Sequence, residues 1–364
     1  MKPKTQSTTQ LMLLFLFTIV PSHSFYFHLV TTLAKPIFTK TEIEPSTPKT
    51  SIEETPIVIC PGFANEANDY KSSLIASLEK RGFQSKNIYT LPIKRFDWIR
   101  VASGMFDFPN FYTGNCSPTG LSYGWYIKCL KETVDKAYKN CGNKKIILIG
   151  HSAGGWLARA AMGDGNWSKD GNDAMDTNII RTADRIRCLV TVGSIHKEPK
   201  NSATCVTKGA LMNTNRLYPG AFLKNEGIGY VSVGGYALTG DNTYAESRNK
   251  INVPFHEDYK LQISPKVAYK SYKAVAGEGN LDGDGIVPLE WTKLEGSKHV
   301  KLEGVLHSAH FARKAKQQNS WYGSENILDN WLTCALDEAG INSRIGTCVK
   351  KVRRWGLLRY MQRR

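Results

Sequence analysis

The stretch Ile146-Ile147-Leu148-Ile149-Gly150-His151-Ser152-Ala153-Gly154-Gly155-Trp156-Leu157 sets a serine between two glycines, behind an apolar run and ahead of an amphipathic one. A serine hydroxyl is a weak nucleophile until it is held clear of its neighbours and offered a base. A G-x-S-x-G turn does the holding: the serine sits on a strained strand-to-helix corner, the glycines leave room for backbone to pass, and the helix dipole points at the site. So short a motif recurs by chance. The apolar strand before it and the helix start after it are the context that makes Ser152 the candidate nucleophile.

Such a serine needs an imidazole and a carboxylate, expected in the order Ser, acid, His, each in a loop after a late strand. Gly279-Asn280-Leu281-Asp282-Gly283-Asp284-Gly285-Ile286-Val287-Pro288 offers Asp282 and Asp284, and Gly304-Val305-Leu306-His307-Ser308-Ala309-His310 offers His307 and His310. Spacing alone does not separate the two histidines, which fall three residues apart. The Asp-Gly-Asp-Gly turn also matches several positions of a calcium loop, but Trp291 stands where the bidentate Glu belongs and flanking helices are missing. No metal or organic cofactor is implied. An oxyanion hole requires backbone N–H donors aimed at the developing charge. The run Ile57-Val58-Ile59-Cys60-Pro61-Gly62-Phe63 reads as a strand and a Pro-Gly turn that would set the Phe63 amide opposite the Ala153 amide. His151, beside the nucleophile, is expected to turn its ring away and pack; His196 and His256 are expected at the surface or in pocket walls.

The elements that must position these residues alternate. Strand-like runs at Ile57–Cys60, Asn87–Leu91, Lys145–Gly150 and Arg187–Gly193 are interleaved with amphipathic stretches near Asp69–Arg81, Tyr123–Lys139 and Gly154–Met162. That rhythm predicts an α/β fold, a mostly parallel sheet covered by helices on both faces. After Gly193 it breaks for about seventy residues rich in Asn, Gly and Tyr. An insertion at about 199–266, capping the sheet's carboxyl edge, is expected, with strands resuming at Val267–Val275. A strand at His299–Val305 and a helix at Ser324–Ala339 close the domain, which spans 56–339.

Composition limits the alternatives. The 364 residues are 41% hydrophobic and 22% charged, enough for a sizeable core. No apolar run approaches the roughly 18 residues that a membrane-spanning helix requires. The net charge of +16 suggests nucleic acid, yet eight basic residues lie in the acid-free stretch Arg344–Arg364. Without that tail, Lys2 and Lys4, 38 basic residues face 32 acidic ones, and no nucleic-acid motif is present. The eight cysteines form no CxxC pair, so neither a zinc site nor thioredoxin-like chemistry is indicated. Cys60 and Cys188 are expected as buried packing residues, and Cys116 with Cys129 or Cys205 as a pair in an oxidising lumen.

The ends read as addresses. Residues 1–24, with Lys2, Lys4 and the apolar run Leu11–Val20, have the pattern of a signal peptide cut after Ser24. Residues 25–55 form a Ser/Thr/Pro-rich leader or linker; Phe25 at the cut resembles the presequences of complex plastids, so plastid and secreted or luminal destinations both stand. Sequons at Asn115 and Asn166 would matter only in the secretory lumen. The basic tail at 340–364, with Cys348, Val352, Trp355 and Leu358 at near-helical spacing, reads as solvated or as a peripheral contact with an anionic membrane.

On these motifs the chain resembles the α/β-hydrolase superfamily, and within it the lipase-like proteins of plants and algae, many of them plastid-targeted. The resemblance covers about Pro56 to Ala339. It rests on the Pro61-Gly62-Phe63 turn, Gly150 through Arg159, Gly193-Ser194-Ile195-His196-Lys197-Glu198-Pro199, Gly283-Asp284-Gly285-Ile286-Val287-Pro288 and Leu302-Glu303-Gly304-Val305-Leu306-His307. It implies the triad Ser152, Asp284 and His307. The Gly193 loop carries Ser194 and Ile195 where such lipases have Thr and Pro, a departure that bears on substrate more than on fold. The expectation is a serine hydrolase acting on carboxylic esters, lipid or small, through an acyl-enzyme. Acyl transfer, thioester cleavage and a non-catalytic lipid-binding module are the alternatives. The aromatic stretches Phe106–Tyr112 and Tyr218–Leu223 are expected in an apolar pocket or in the core.

Overall fold

Ile57–Cys60 and Ile146–His151, the most apolar runs ahead of the two turns of interest, form strands β1 and β3, buried along their whole length. The computed structural model describes residues 51–163, 181–199, 205–244, 263–314 and 320–341. The expected signal peptide, residues 25–50 of the leader, the Asn166 sequon, His256 and the tail beyond 341 lie outside the described residues. β2 (Ile88–Thr90), β4 (Ile186–Val192), β5 (Gly229–Tyr236) and, after the short antiparallel pair β6 (Leu238–Thr239) and β7 (Asp282–Gly283), β8 (Lys298–Glu303) complete the main sheet. Its order is β2-β1-β3-β4-β5-β8 and every pairing is parallel.

Alternation along each strand splits the core in two. Val58, Cys60, Ile146 and Leu148 face one side, where Leu130 and Val134 of helix α1 (Gly124–Asn140) and Trp156 and Leu157 of α2 (Ala153–Met162) cover them. Ile57, Ile59, Ile147 and Ile149 face the other, against Leu74, Leu78 and the α4 residues Leu328, Trp331 and Leu332. Helix α3 (Pro265–Ala276) precedes α4 (Glu325–Glu338) in the chain. This is the expected α/β architecture, a parallel sheet with helices on both faces.

Two expectations about its second half are corrected. Val267–Val275 lies in helix α3, whose start and stop are marked by the Ser264 side chain accepting from the Val267 amide at 3.3 Å, Pro265 at the first position and Gly277 in the left-handed conformation. Its Val, Tyr and Ala residues look strand-like, but Ala268, Tyr272 and Val275 recur at helical spacing as the buried face. The strand expected there is β5, which falls inside 199–266, the stretch expected to be wholly insertion. Its sequence, Gly229-Tyr230-Val231-Ser232-Val233-Gly234-Gly235-Tyr236, is too glycine-rich to announce a strand, yet it is buried between β4 and β8. The expected Cys116 bridges are also absent, since Cys116, Cys129 and Cys205 are free thiols; Cys334 is disulfide-bonded.

Candidate active site

β1 and β3 are neighbours whose connections leave in opposite directions across the sheet, and it is at the carboxyl ends of such a pair that open α/β sheets place ligands. Ser152 stands there, between the end of β3 and the start of α2, with φ 51° and ψ −123°. A non-glycine residue held there costs on the order of 1–3 kcal/mol, a strain that persists only where the surroundings impose it. They do so by close packing. A Cβ on Gly150 would come within 2.4 Å of the Gly155 Cα, and one on Gly154 within 2.2 Å of the Cys60 carbonyl oxygen, so neither position accepts a side chain. The Ser152 amide donates to the Val192 carbonyl at 3.0 Å, tying the elbow to the next strand.

The Pro61-Gly62-Phe63 turn packs directly on this elbow, because a Cβ on Gly62 would lie 2.8 Å from the Ser152 Cβ. Phe63 is braced from behind by the buried Trp98 ring, with centroids 5.2 Å apart. Among the described residues neither the Phe63 amide nor the Ala153 amide donates to a protein acceptor. Ala153 is the first residue of α2, where helical amides have no partner in the helix.

Asp284 is fully buried and His307 nearly so. The His307 Nδ1–H donates to Asp284 Oδ2 at 2.8 Å, and the His307 amide donates to the Asp284 carbonyl at 3.0 Å. With Nδ1 donating to a carboxylate, the neutral ring leaves Nε2 as its basic nitrogen. The remaining valences of Asp284 are filled: Oδ1 accepts from the amides of Ile286 (3.0 Å) and Val287 (2.7 Å), and Oδ2 also accepts from the Tyr322 hydroxyl at 2.7 Å. Helix α3 holds this loop from outside, since Tyr272 Oη accepts from the Gly285 amide at 2.8 Å. Asp282 and His310 are elsewhere. Asp282 is exposed and accepts from Thr239 Oγ1 at 2.5 Å; His310 is exposed and lies against Phe311.

His151 is buried and packed as expected, against Tyr70, His307 and Trp321, but both of its ring nitrogens also have polar partners. Its Nδ1 lies 2.8 Å from Tyr70 Oη and its Nε2 2.9 Å from the His307 carbonyl oxygen, with the His151 and His307 ring centroids 4.9 Å apart. Burial, and then the neighbouring His307, push its pKa down to about 3. His196 is buried, not at the surface, with Nε2 2.9 Å from Thr191 Oγ1. Of the aromatic stretches, Tyr218 and Leu223 are core, whereas Phe106 and Phe108 are about four-fifths exposed. Sequence reasoning missed Tyr70, Tyr322 and the role of His151. Tyr70 and Tyr322 lie in no motif, and only the fold brings them to the site.

No protein-family model matches the chain, and no curated protein matches it. Among solved structures it is similar to the lipase BlEst2 of Bacillus licheniformis in its mature form, at 13% identity over 74% of this chain and 89% of that one, with a TM-score of 0.41. It is also similar to the phospholipase PlaB of Legionella pneumophila, at 12% identity over 80% of this chain and 61% of that one, with a TM-score of 0.41. A Trichoderma reesei cutinase bound to a phosphonate inhibitor is similar at 12% identity over 49% of this chain and 80% of that one, with a TM-score of 0.22.

Proposed function

We propose that this chain is a serine hydrolase of the α/β-hydrolase superfamily that cleaves carboxylic esters, those of acyl lipids in particular. The observation that carries the reading is a buried Asp284–His307 pair whose ring lies against the elbow that holds Ser152 at a left-handed φ. Ser152 Oγ attacks the ester carbonyl while His307 Nε2 takes its proton. Asp284 holds the ring in the tautomer that leaves Nε2 free and stabilises the imidazolium. The Phe63 and Ala153 amides receive the negative oxygen of the tetrahedral intermediate. The intermediate collapses by breaking the bond to the alkoxy oxygen, which leaves as the alcohol with the proton from His307. Water, deprotonated by the same imidazole, then attacks the acyl-serine and releases the acid, returning the proton to Ser152. Ser152 Oγ has no hydrogen-bond partner among the described residues; catalytic hydrogen bonds of this kind often tighten only when substrate binds.

The preference for acyl lipids is supported by the exposed apolar side chains in the segment that contacts Phe63 through Trp98. Trp98, which braces Phe63, belongs to a segment whose Phe96, Ile99, Phe106 and Phe108 side chains are exposed. Entry into the secretory route through residues 1–24, and peripheral membrane contact through the tail, belong to the same proposal.

The test is a substrate screen of the purified protein and its Ser152→Ala variant against galactolipid, phospholipid, short-chain p-nitrophenyl ester and acyl-CoA. Ser152-dependent release of free fatty acid from an ester is expected. Transfer of the acyl group to an alcohol in place of water, or turnover of acyl-CoA alone, would replace ester hydrolysis by transfer or thioester cleavage. No Ser152-dependent turnover of any of them would leave a binding module.

A further inference from the structure

Tyr70 and His151 take no part in the reaction described above, yet they join its three moving parts. The Gly62 amide donates to Tyr70 Oη at 3.1 Å, Tyr70 Oη lies 2.8 Å from His151 Nδ1, and His151 Nε2 lies 2.9 Å from the His307 carbonyl oxygen. Gly62 and Tyr70 lie 8 residues apart, but Tyr70 and His151 are separated by 81 residues and His151 and His307 by 156. Donor and acceptor accounting allows one arrangement. The His307 carbonyl can only accept, so His151 Nε2 carries the hydrogen; a neutral ring then accepts at Nδ1, and Tyr70 must donate there. The Tyr70 oxygen keeps a lone pair for the Gly62 amide, and every hydrogen in the chain is used once.

A residue that merely fills space needs no matched polar ends, and Phe would serve as well. Here both ring nitrogens of a fully buried imidazole are spent on backbone-setting contacts, and burial keeps the ring neutral, as the arrangement needs. The groups facing His151 are Tyr70, His307 and Trp321, with the carboxylate of Asp284 beyond His307. We propose that Tyr70 and His151 are positioning residues that fix the oxyanion turn at Gly62–Phe63 and the backbone of His307 to the elbow carrying Ser152. The proposal rests on the serine-hydrolase reading and adds to it what sets the distances between base, nucleophile and oxyanion donors.

The test is steady-state kinetics on a short-chain p-nitrophenyl ester with the wild type, Ser152→Ala, His151→Phe, His151→Gln, His151→Asn and Tyr70→Phe. His151→Phe is expected to lower kcat about 10²-fold, the size of effect that an ångström of misplacement produces, with KM nearly unchanged. His151→Gln, whose amide N–H falls where Nε2 lies, should regain most of that loss. His151→Asn, which reaches only the Tyr70 side, should not. Tyr70→Phe removes the acceptor of the Gly62 amide and should lower kcat about tenfold, the kinetic equivalent of one hydrogen bond. Wild-type kcat in His151→Phe, a loss confined to KM, or Asn rescuing as well as Gln would overturn the positioning role. Should His151→Phe fail to fold, Tyr70→Phe decides by the same criterion, and wild-type kcat there overturns it. Turnover that survives Ser152→Ala overturns the serine reading instead, whatever the histidine variants do.

Discussion

Asp284 and Asp282 are two residues apart and chemically identical, yet their surroundings give them different work. Asp284 is buried with four hydrogen bonds from Ile286, Val287, His307 and Tyr322, so both of its oxygens are fixed in place. Asp282 faces solvent and meets Thr239. Asp284→Asn should therefore leave the fold intact and lower kcat by roughly 10⁴-fold, as the wrong imidazole tautomer does in other triads. Asp282→Asn should turn over normally; if it were the worse mutant, the acid would have to be reassigned. Likewise His307→Ala should be as inactive as Ser152→Ala while His310→Ala retains substantial turnover, and near-normal activity in His307→Ala would move the base to His310. Spacing brought all four candidates into view but could not choose, because the choice depends on burial. The polar partners of the packed His151 ring are hidden from sequence for the same reason: Tyr70 and the His307 carbonyl are brought to it by the fold.

Elements were legible where a single signal dominated. β1 and β3 announced themselves as apolar runs, and Gly150 and Gly154 marked the elbow between β3 and α2. Where signals conflicted, composition misled: α3 is rich in strand-like residues but capped as a helix by Ser264, Pro265 and Gly277, and β5 hides its burial behind three glycines. A further feature of α2 could not be read from sequence. Arg159 is buried, its guanidinium donating to the Tyr218 carbonyl at 2.9 Å and to Asn215 Oδ1, and burial pushes its pKa down to about 10. It ties α2 to the stretch from Asn215 to Tyr218. Arg159→Leu should strand those two acceptors and cost about 2 kcal/mol of stability, seen as a lower denaturant midpoint, without altering the reaction at permissive temperature. An unchanged midpoint would mean that the acceptors find other partners.

At the scale of the whole molecule, the sheet sets both the site and the acid sensitivity. The parallel order β2-β1-β3-β4-β5-β8 brings the carboxyl ends of β1 and β3 together, and the turns at Ser152 and Pro61-Gly62-Phe63 are the loops that leave them. This much was legible in the strand–helix rhythm. Taking histidines out of water has a thermodynamic consequence. Burial, with His307 nearby, pushes His151 down to about 3; burial, with Lys301 nearby, pushes His299 down to about 4; burial and Arg159 push His196 well down. In each case the folded pKa lies below the unfolded value of about 6.5, so the unfolded chain binds more protons in the window between. The stability these groups contribute is complete above about pH 6.5 and is lost progressively as pH falls toward 3. Thermal midpoints should decline from pH 6.5 to pH 4, and the decline should be shallower in His151→Gln. A flat profile over that range would show that the three rings are not held neutral.

Labelling of the intact protein by a fluorophosphonate probe, with the adduct located by peptide mass spectrometry, tests directly whether Ser152 is an activated nucleophile. An activated Ser152 gives one adduct, on Ser152, formed quickly in the wild type, slowly in His307→Ala, and not at all in Ser152→Ala. Labelling of Ser152→Ala at the wild-type rate, or an adduct on another residue, would contradict that role.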